Sequence, residues 1–198
     1  MTGALARSHP LSRMASANPD RLPPDERELV QRAKRGDVPA FEALYRATSG
    51  RVFALCLRMR GDRGLATEAL QDVFVRVWER LGQFDGNASF ATWVHRVCVN
   101  QLLEQQRTDA RREARVMPTD LTVERASAAR DPAGDADTRL DLERALPRLS
   151  EGARRVFVLH DMEGYGHAEI AAMLGIAEST VRVQLHRARK QLMETLER

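Results

Sequence analysis

Gly166-His167-Ala168-Glu169-Ile170-Ala171-Ala172-Met173-Leu174-Gly175-Ile176-Ala177-Glu178-Ser179-Thr180-Val181-Arg182-Val183-Gln184-Leu185-His186-Arg187-Ala188-Arg189 is the stretch that decides how this chain folds. Apolar residues recur at helical spacing on both sides of Gly175, a residue able to take the left-handed conformation that a sharp helix stop requires. Ile170, Leu174, Ile176, Val181 and Leu185 fall where two such helices bury side chains against each other, and Ala171 is small where they cross. The pattern is a helix-turn-helix, whose steep interhelical angle lets the second helix project into a major groove.

That second helix has two faces. Val181, Leu185, Ala188 and Leu192 make an apolar side, while Ser179, Arg182, Val183, His186, Arg187 and Lys190 form a largely polar and basic stripe, with Thr180 beside it. Four Arg or Lys and one His lie between Arg182 and Lys190 with no acid among them, a local positive cluster suited to DNA. Arg bonds guanine edges bidentately or neutralises phosphate, and both roles stay open for these residues. Ala177 stands at the N-cap, where serine would contribute about 1 kcal/mol, and Glu178 partly offsets this through the helix dipole.

Upstream, apolar spacing predicts four more helices. The first covers 25–35 and closes at Gly36; the second runs over 39–60, with Phe41, Leu44, Tyr45, Val52, Leu55, Cys56 and Met59 along one side. Gly61-Asp62-Arg63-Gly64 breaks the chain. A third, from residue 65 or 67 to about residue 81, places Leu70, Val73, Phe74, Val77, Trp78 and Leu81 on one face and Gln71, Asp72, Arg76 and Glu79 on the other. Residues 82–88 read as a loop, and Ser89 as the N-cap of a fourth helix reaching about residue 107. Residues 108–138, rich in Ala, Arg and Asp with no apolar register, read as a flexible linker. The expectation is an all-α chain of two small domains. A disordered tail (1–24) precedes a four-helix domain (25–107); the linker (108–138) leads to the helix-turn-helix domain (139–198).

Composition narrows the classes further. The chain has 198 residues, 43% hydrophobic and 30% charged, as expected of soluble globular material, with a modest net charge of +3 and a pI of about 9.3 that leans basic. The longest apolar run, residues 52–57, is far below the ~20 residues needed to span a bilayer. Nothing at the N-terminus resembles a secretory signal. Cys56 and Cys98 sit among apolar neighbours and read as buried thiols in a reducing cytoplasm. His95 and Cys98 have metal-ligand spacing but no second pair, so neither metal nor cofactor is expected.

With these residues in place the chain resembles the ECF branch of the sigma-70 family. Leu159-His160-Asp161-Met162-Glu163-Gly164-Tyr165, Thr180-Val181 and Leu185-His186-Arg187-Ala188-Arg189 are similar to the DNA-reading C-terminal domain of that family. Ala40-Phe41-Glu42-Ala43-Leu44-Tyr45, Glu68-Ala69-Leu70-Gln71-Asp72-Val73-Phe74-Val75-Arg76-Val77-Trp78 and Phe84-Asp85-Gly86-Asn87-Ala88-Ser89-Phe90-Ala91-Thr92-Trp93-Val94 are similar to its other half. The resemblance implies a sigma factor, without catalysis of its own, that binds core RNA polymerase and directs promoter-specific initiation.

By resemblance, Glu68, Gln71, Asp72, Val75, Arg76 and Glu79 would dock on the clamp of the largest polymerase subunit, with the flap as a further contact. Phe84, Asp85, Gly86, Asn87 and Ser89 would open the duplex and capture a −10 base, with His95, Arg96 and Asn100 nearby. Ser179, Thr180, Arg182, Val183, His186, Arg187 and Lys190 would read the −35 element. Promoter DNA and a separate anti-sigma protein are the further partners implied, and the free chain would be a cytoplasmic monomer. Phe90 and Trp93 are assigned to the core. Two departures stand out: Ala69 occupies a position usually acidic in the family, and Val183-Gln184 replaces a Ser-Arg pair, which leaves the −35 base preference open.

Two other classes compete. A free-standing helix-turn-helix repressor or activator would need a dimer interface to match two half-sites, and no heptad seam is present. An enzyme acting on DNA would need convergent carboxylates or a nucleophile. Glu68, Asp72 and Glu79 lie along one helix without converging, and Ser89 and Ser179 have loop or cap roles.

Overall fold

The computed structural model describes residues 24–116 and 138–196, all of its regular elements being helical. The tail and most of the linker read from sequence lie outside the described residues. The first half contains α1 (Pro24–Lys34), α2 (Val38–Arg60), α3 (Arg63–Arg80), a 3-10 turn (Leu81–Gln83) and α4 (Phe90–Val116). The second contains α5 (Thr138–Ala145), α6 (Glu151–Phe157) continued by a π turn (Val158–Met162), α7 (His167–Leu174) and α8 (Glu178–Leu196). Among the described residues no helix is long and apolar enough to cross a membrane.

Local chemistry sets these boundaries. Asp37 caps α2 by accepting the Ala40 N–H at 3.1 Å and is held by Arg32 at 2.7 Å. Gly61, at φ +70°, stops the helix, and Asp62 at once caps α3 through the Leu65 N–H at 2.9 Å. Ser89 does the same for α4, accepting the Thr92 N–H at 3.1 Å. That helix runs on to Val116, past the end expected near residue 107. The apolar stripe fades there, but the sequence keeps strong helix formers and contains neither Gly nor Pro.

Core packing follows the predicted stripes with instructive exceptions. Val73, Phe74, Val77 and Leu81 of the third helix are buried, as are Leu44, Val52, Leu55, Cys56 and Met59 of the second. Trp78 and Tyr45 lie at the margin instead, 41% and 36% exposed, packed edge-to-face on Phe41 and Phe74. Ala69, on α3, is 1% exposed. An acidic residue there would be a buried charge, so alanine at this position is a packing feature of this chain.

Cys56 and Cys98 face each other across α2 and α4 with sulfurs 3.8 Å apart, both fully buried. The hydrogen bond with Cys56, together with burial, pushes the Cys98 thiol well up. His95 points elsewhere, so the His95–Cys98 spacing assembles no metal site, and no metal-binding cluster occurs among the described residues.

The two halves touch. Arg154 of α6 is 5% exposed and enters the C-terminal end of α2, where it donates to the carbonyls of Arg60 (2.9 Å) and Met59 (3.4 Å), and to Leu149 (3.3 Å) in its own half. Burial lowers the pKa of its guanidinium, while the negative end of the α2 dipole favours a cation there. A Cβ on Gly61 would meet the guanidinium carbon at 2.6 Å, so glycine is required both for its positive φ and for this close approach. Arg58 pairs with Glu143 at 2.6 Å, His95 with Glu163 at 2.7 Å, and Arg107 donates to the Met173 carbonyl.

Candidate nucleic-acid interface

The second half builds a two-faced helix. Val181, Leu185, Ala188 and Leu192 are buried against α6 and α7, as the apolar stripe predicts. Gly175 ends α7 at φ +68°, its N–H returning to the Ala171 carbonyl at 2.9 Å. Glu169 reaches back to the Gly166 N–H at 2.8 Å and fixes the start of α7. The turn therefore presents the opposite face of α8 to solvent. Ser179, Thr180, Arg182, Val183, His186, Arg187 and Lys190 are all exposed. Arg182 pairs with Glu178 one turn earlier, and Lys190 approaches Glu194 at 3.9 Å.

Gln184 is turned the other way. A Cβ on Gly152 would lie 2.9 Å from its amide nitrogen, so of the Val183-Gln184 departure only Val183 belongs to the exposed stripe.

Arg189 is also withdrawn from the basic cluster. It makes a two-point contact with Asp161 in the π turn, at 2.9 and 2.5 Å. Sequence reasoning missed this pairing, because the two residues lie 28 apart and only the π turn aims Asp161 at α8. Burial pushes the Asp161 carboxyl upward, but hydrogen bonds from Arg189 and His160 outweigh it and hold the group below its ordinary range. A carboxyl whose folded pKa is depressed stabilises the fold fully above its unfolded value and loses that contribution as pH falls through the folded one. The second half is therefore expected to lose urea resistance as pH drops below about 4. Asp161→Asn should flatten that acid limb; an unchanged limb would show that the pair does not couple to folding.

In the first half, the loop after the 3-10 turn is ordered by its own side chains. Asp85 accepts from the Asn87 N–H at 3.0 Å and from the Asn87 amide at 2.6 Å, and the backbone bond is the main cause of its lowered pKa. Gly86 takes φ +79°. Ser89 and Thr92 share a hydrogen bond at 2.8 Å. Asp85 and Asn87 are exposed, Gly86 and Ser89 half-buried.

Phe84 corrects the sequence expectation of a DNA contact. It is 3% exposed, with its ring 5.8 Å from that of Phe90 and 5.4 Å from that of Trp93, so it anchors the loop in the core and offers no ring to a base. Phe90 is buried and Trp93 packs half-buried beside it, as expected. Arg96 and Asn100 are exposed on α4, whereas His95 is engaged by Glu163 of the other half.

The outer face of α3 is the third surface. Glu68, Gln71, Asp72, Val75 and Glu79 are exposed and Arg76 half-buried, with Val75 58% exposed among charged neighbours. Asp72 accepts from Gln105 at 2.5 Å, and Arg76 contacts Gln101 (3.4 Å) and Glu79 (3.2 Å). These bonds tie the face to α4 and fix its side chains.

Comparison with known proteins gives a consistent picture. The model of sigma-70 region 2 matches residues 44–112, and that of sigma-70, region 4 matches residues 139–192. The chain is 33% identical over 169 residues to the ECF RNA polymerase sigma factor SigM of Mycobacterium tuberculosis, covering 85% of this chain and 83% of that protein. It is also 33% identical over 164 residues to the ECF RNA polymerase sigma factor SigE of Mycolicibacterium smegmatis; this covers 80% of the chain but spans only 62% of that relative. In fold it is similar to the sigma factor RpoE of Bartonella quintana, solved with the anti-sigma factor NepR, at a TM-score of 0.52 and 22% identity, over 81% of this chain and 98% of that one.

Proposed function

The chain belongs to the sigma-70 family, as an ECF-type sigma factor for promoter-specific transcription by RNA polymerase, and from that membership we propose how its surfaces divide the work. The observation that carries the proposal is the two-sidedness of α8: its apolar face is consumed by the fold, and all seven residues predicted to meet DNA stand in solvent. This helix enters the major groove of the −35 element, with Arg182, Val183, His186 and Arg187 toward base edges and Ser179, Thr180 and Lys190 toward the backbone. The loop of Asp85, Gly86, Asn87 and Ser89 receives an unstacked −10 base, with Arg96 and Asn100 beside it. The outer face of α3 docks on the polymerase clamp, and the second half meets the flap. A separate anti-sigma protein competes for these surfaces.

Reading both elements requires the halves to part. The two elements lie roughly 25 base pairs apart by their names, about 85 Å of duplex at ~3.4 Å per base pair. In the folded chain α2 and α6 are in contact. Residues 117–137, fully extended, reach at most about 75 Å. Together with the breadth of the two halves that suffices for the separation. His95 is released from Glu163 in the same movement.

The test is complex formation. Purified protein mixed with bacterial core RNA polymerase should co-migrate on a sizing column and support promoter-dependent transcription. Asp72→Ala with Gln71→Ala should weaken co-migration about tenfold, the scale expected for losing a hydrogen-bonded charge at an interface. A protein that ignores core polymerase and binds duplex DNA tightly alone would overturn the proposal in favour of a free-standing regulator.

A further inference from the structure

The loop proposed to take the −10 base is not held by its own half-turns alone. Its internal bonds, Asp85 with Asn87 and Ser89 with Thr92, leave two backbone groups at its borders without a local partner: the carbonyl of Phe84 and the N–H of Phe90. Both are taken by α1. Lys34 Nζ donates to the Phe84 carbonyl at 2.6 Å, and the Phe90 N–H donates to Glu26 Oε1 at 2.7 Å. Glu26 and Lys34 are eight residues apart, about 12 Å along a helix. Val30, 3% exposed, lies between them and fastens the same side of α1 to the core. A shallow hollow lined by Arg27, Gln31, Lys34, Asp85 and Gly86 separates the helix from the exposed part of the loop. The matched family region begins at residue 44, so α1 lies wholly outside it.

Each contact has a physical reason to be rigid. The Phe90 N–H is an orphan donor at the start of α4, where a carboxylate is doubly favoured, by the hydrogen bond and by the helix dipole. The Lys34 ammonium stands 6.0 Å from the centroid of the buried Phe84 ring while it bonds the carbonyl of the same residue. The loop is thus clamped at entry and exit by opposite charges on one helix, and the residues between span a fixed gap. Extruding a base from duplex costs a few kcal/mol. A receiving loop that must also be ordered at that moment adds its own entropy to the barrier, whereas one already shaped does not.

We propose that Glu26 and Lys34 are positioning residues for promoter opening: through them α1 holds the 84–89 loop in the shape that selects and keeps the −10 base. The proposal rests on the assignment of this loop to the −10 element. Neither side chain touches DNA; each acts through a backbone atom at the loop's border.

The test uses the full chain with core polymerase, on a duplex promoter, on the same promoter with its −10 region already unpaired, and on a panel of single-base −10 variants. Glu26→Ala and Lys34→Ala are expected to slow open-complex formation on the duplex about tenfold, the scale of one hydrogen bond to a charged group. They should also flatten the preference among −10 bases, with core binding and −35 dependence unchanged. The unpaired template should restore most of the rate, and Glu26→Gln and Lys34→Arg, which retain the acceptor and the donor, should restore the preference.

Asn87→Ala and Asp85→Ala, in the loop itself, separate the two possible failures. If these alter −10 preference while the α1 variants leave it intact, or lower all −10 variants equally in step with folded fraction, the clamp has no role in base choice and the inference falls. If the loop variants also leave −10 preference untouched, the loop assignment fails and the inference falls with it.

Discussion

Changing Arg182 and Arg187 together to alanine is expected to lower −35-dependent transcription about a hundredfold while leaving core polymerase binding as it was. Each bidentate arginine-to-base contact is worth roughly 1–3 kcal/mol of discrimination, and two on one helix face compound. The fold should not suffer, because both side chains stand in solvent and α8 is held by Val181, Leu185, Ala188 and Leu192 on its other side. Arg182 already has a partner in Glu178, an exposed pair one helical turn apart, of the kind worth only a few tenths of a kcal/mol. Exchanging that partner for a base edge is therefore easy. The measurement compares a promoter with its −35-scrambled derivative. If the double variant loses as much on the scrambled template as on the intact one, the arginines neutralise phosphate and do not read sequence. If it loses nothing on either, α8 is not the reader.

The second large effect belongs to Arg154. Arg154→Ala would leave the carbonyls of Met59 and Arg60 facing an emptied site, and a buried polar group without its partner costs about 1–3 kcal/mol. The halves relieve that cost by separating, since water then reaches the end of α2. The expected result is a larger radius of gyration in small-angle scattering with an unchanged helical circular-dichroism signal. Arg154→Lys should not rescue it, because an ammonium lacks the fork that reaches three carbonyls at once. Arg46→Ala, which removes an exposed pair with Glu42, is the control and should leave the radius unchanged. An Arg154→Ala chain as compact as that control would mean that the guanidinium does not hold the halves together.

Much of the fold is legible in the sequence because its signals are local. Gly36, Gly61 and Gly175 mark helix ends where the backbone needs φ near +70° to +90°, and Ser89 marks a helix start, whereas Asp62 reads as part of a chain break although it caps α3. The exposed stripe of α8 follows from periodicity, since a helix that buries one side must show the other. What escaped is non-local or contrary to residue type. Phe84 sits in a stretch of turn formers and so reads as loop, yet its ring goes inward to Phe90 and Trp93. Trp78 fits the apolar spacing of α3 but lies near the edge of the stripe, where the core ends. Arginine is ordinarily a surface residue, and nothing near Arg154 in the chain reveals carbonyls that lie 94 and 95 positions earlier. Glu26 and Lys34 look like ordinary helix-end charges until the fold brings Phe84 and Phe90 to them.

The contact between the halves has a consequence for the separated chain. At Arg58, Glu143, His95, Glu163 and Arg154 the joined surfaces are guanidinium, carboxylate and imidazole, not hydrocarbon. Such groups trade one hydrogen-bond partner for another when they part, and water serves them almost as well. At these positions an opened molecule uncovers no sticky apolar area of the kind that draws unfolded or half-assembled proteins into aggregates. A chain that opens as proposed would remain wettable at these positions both closed and open.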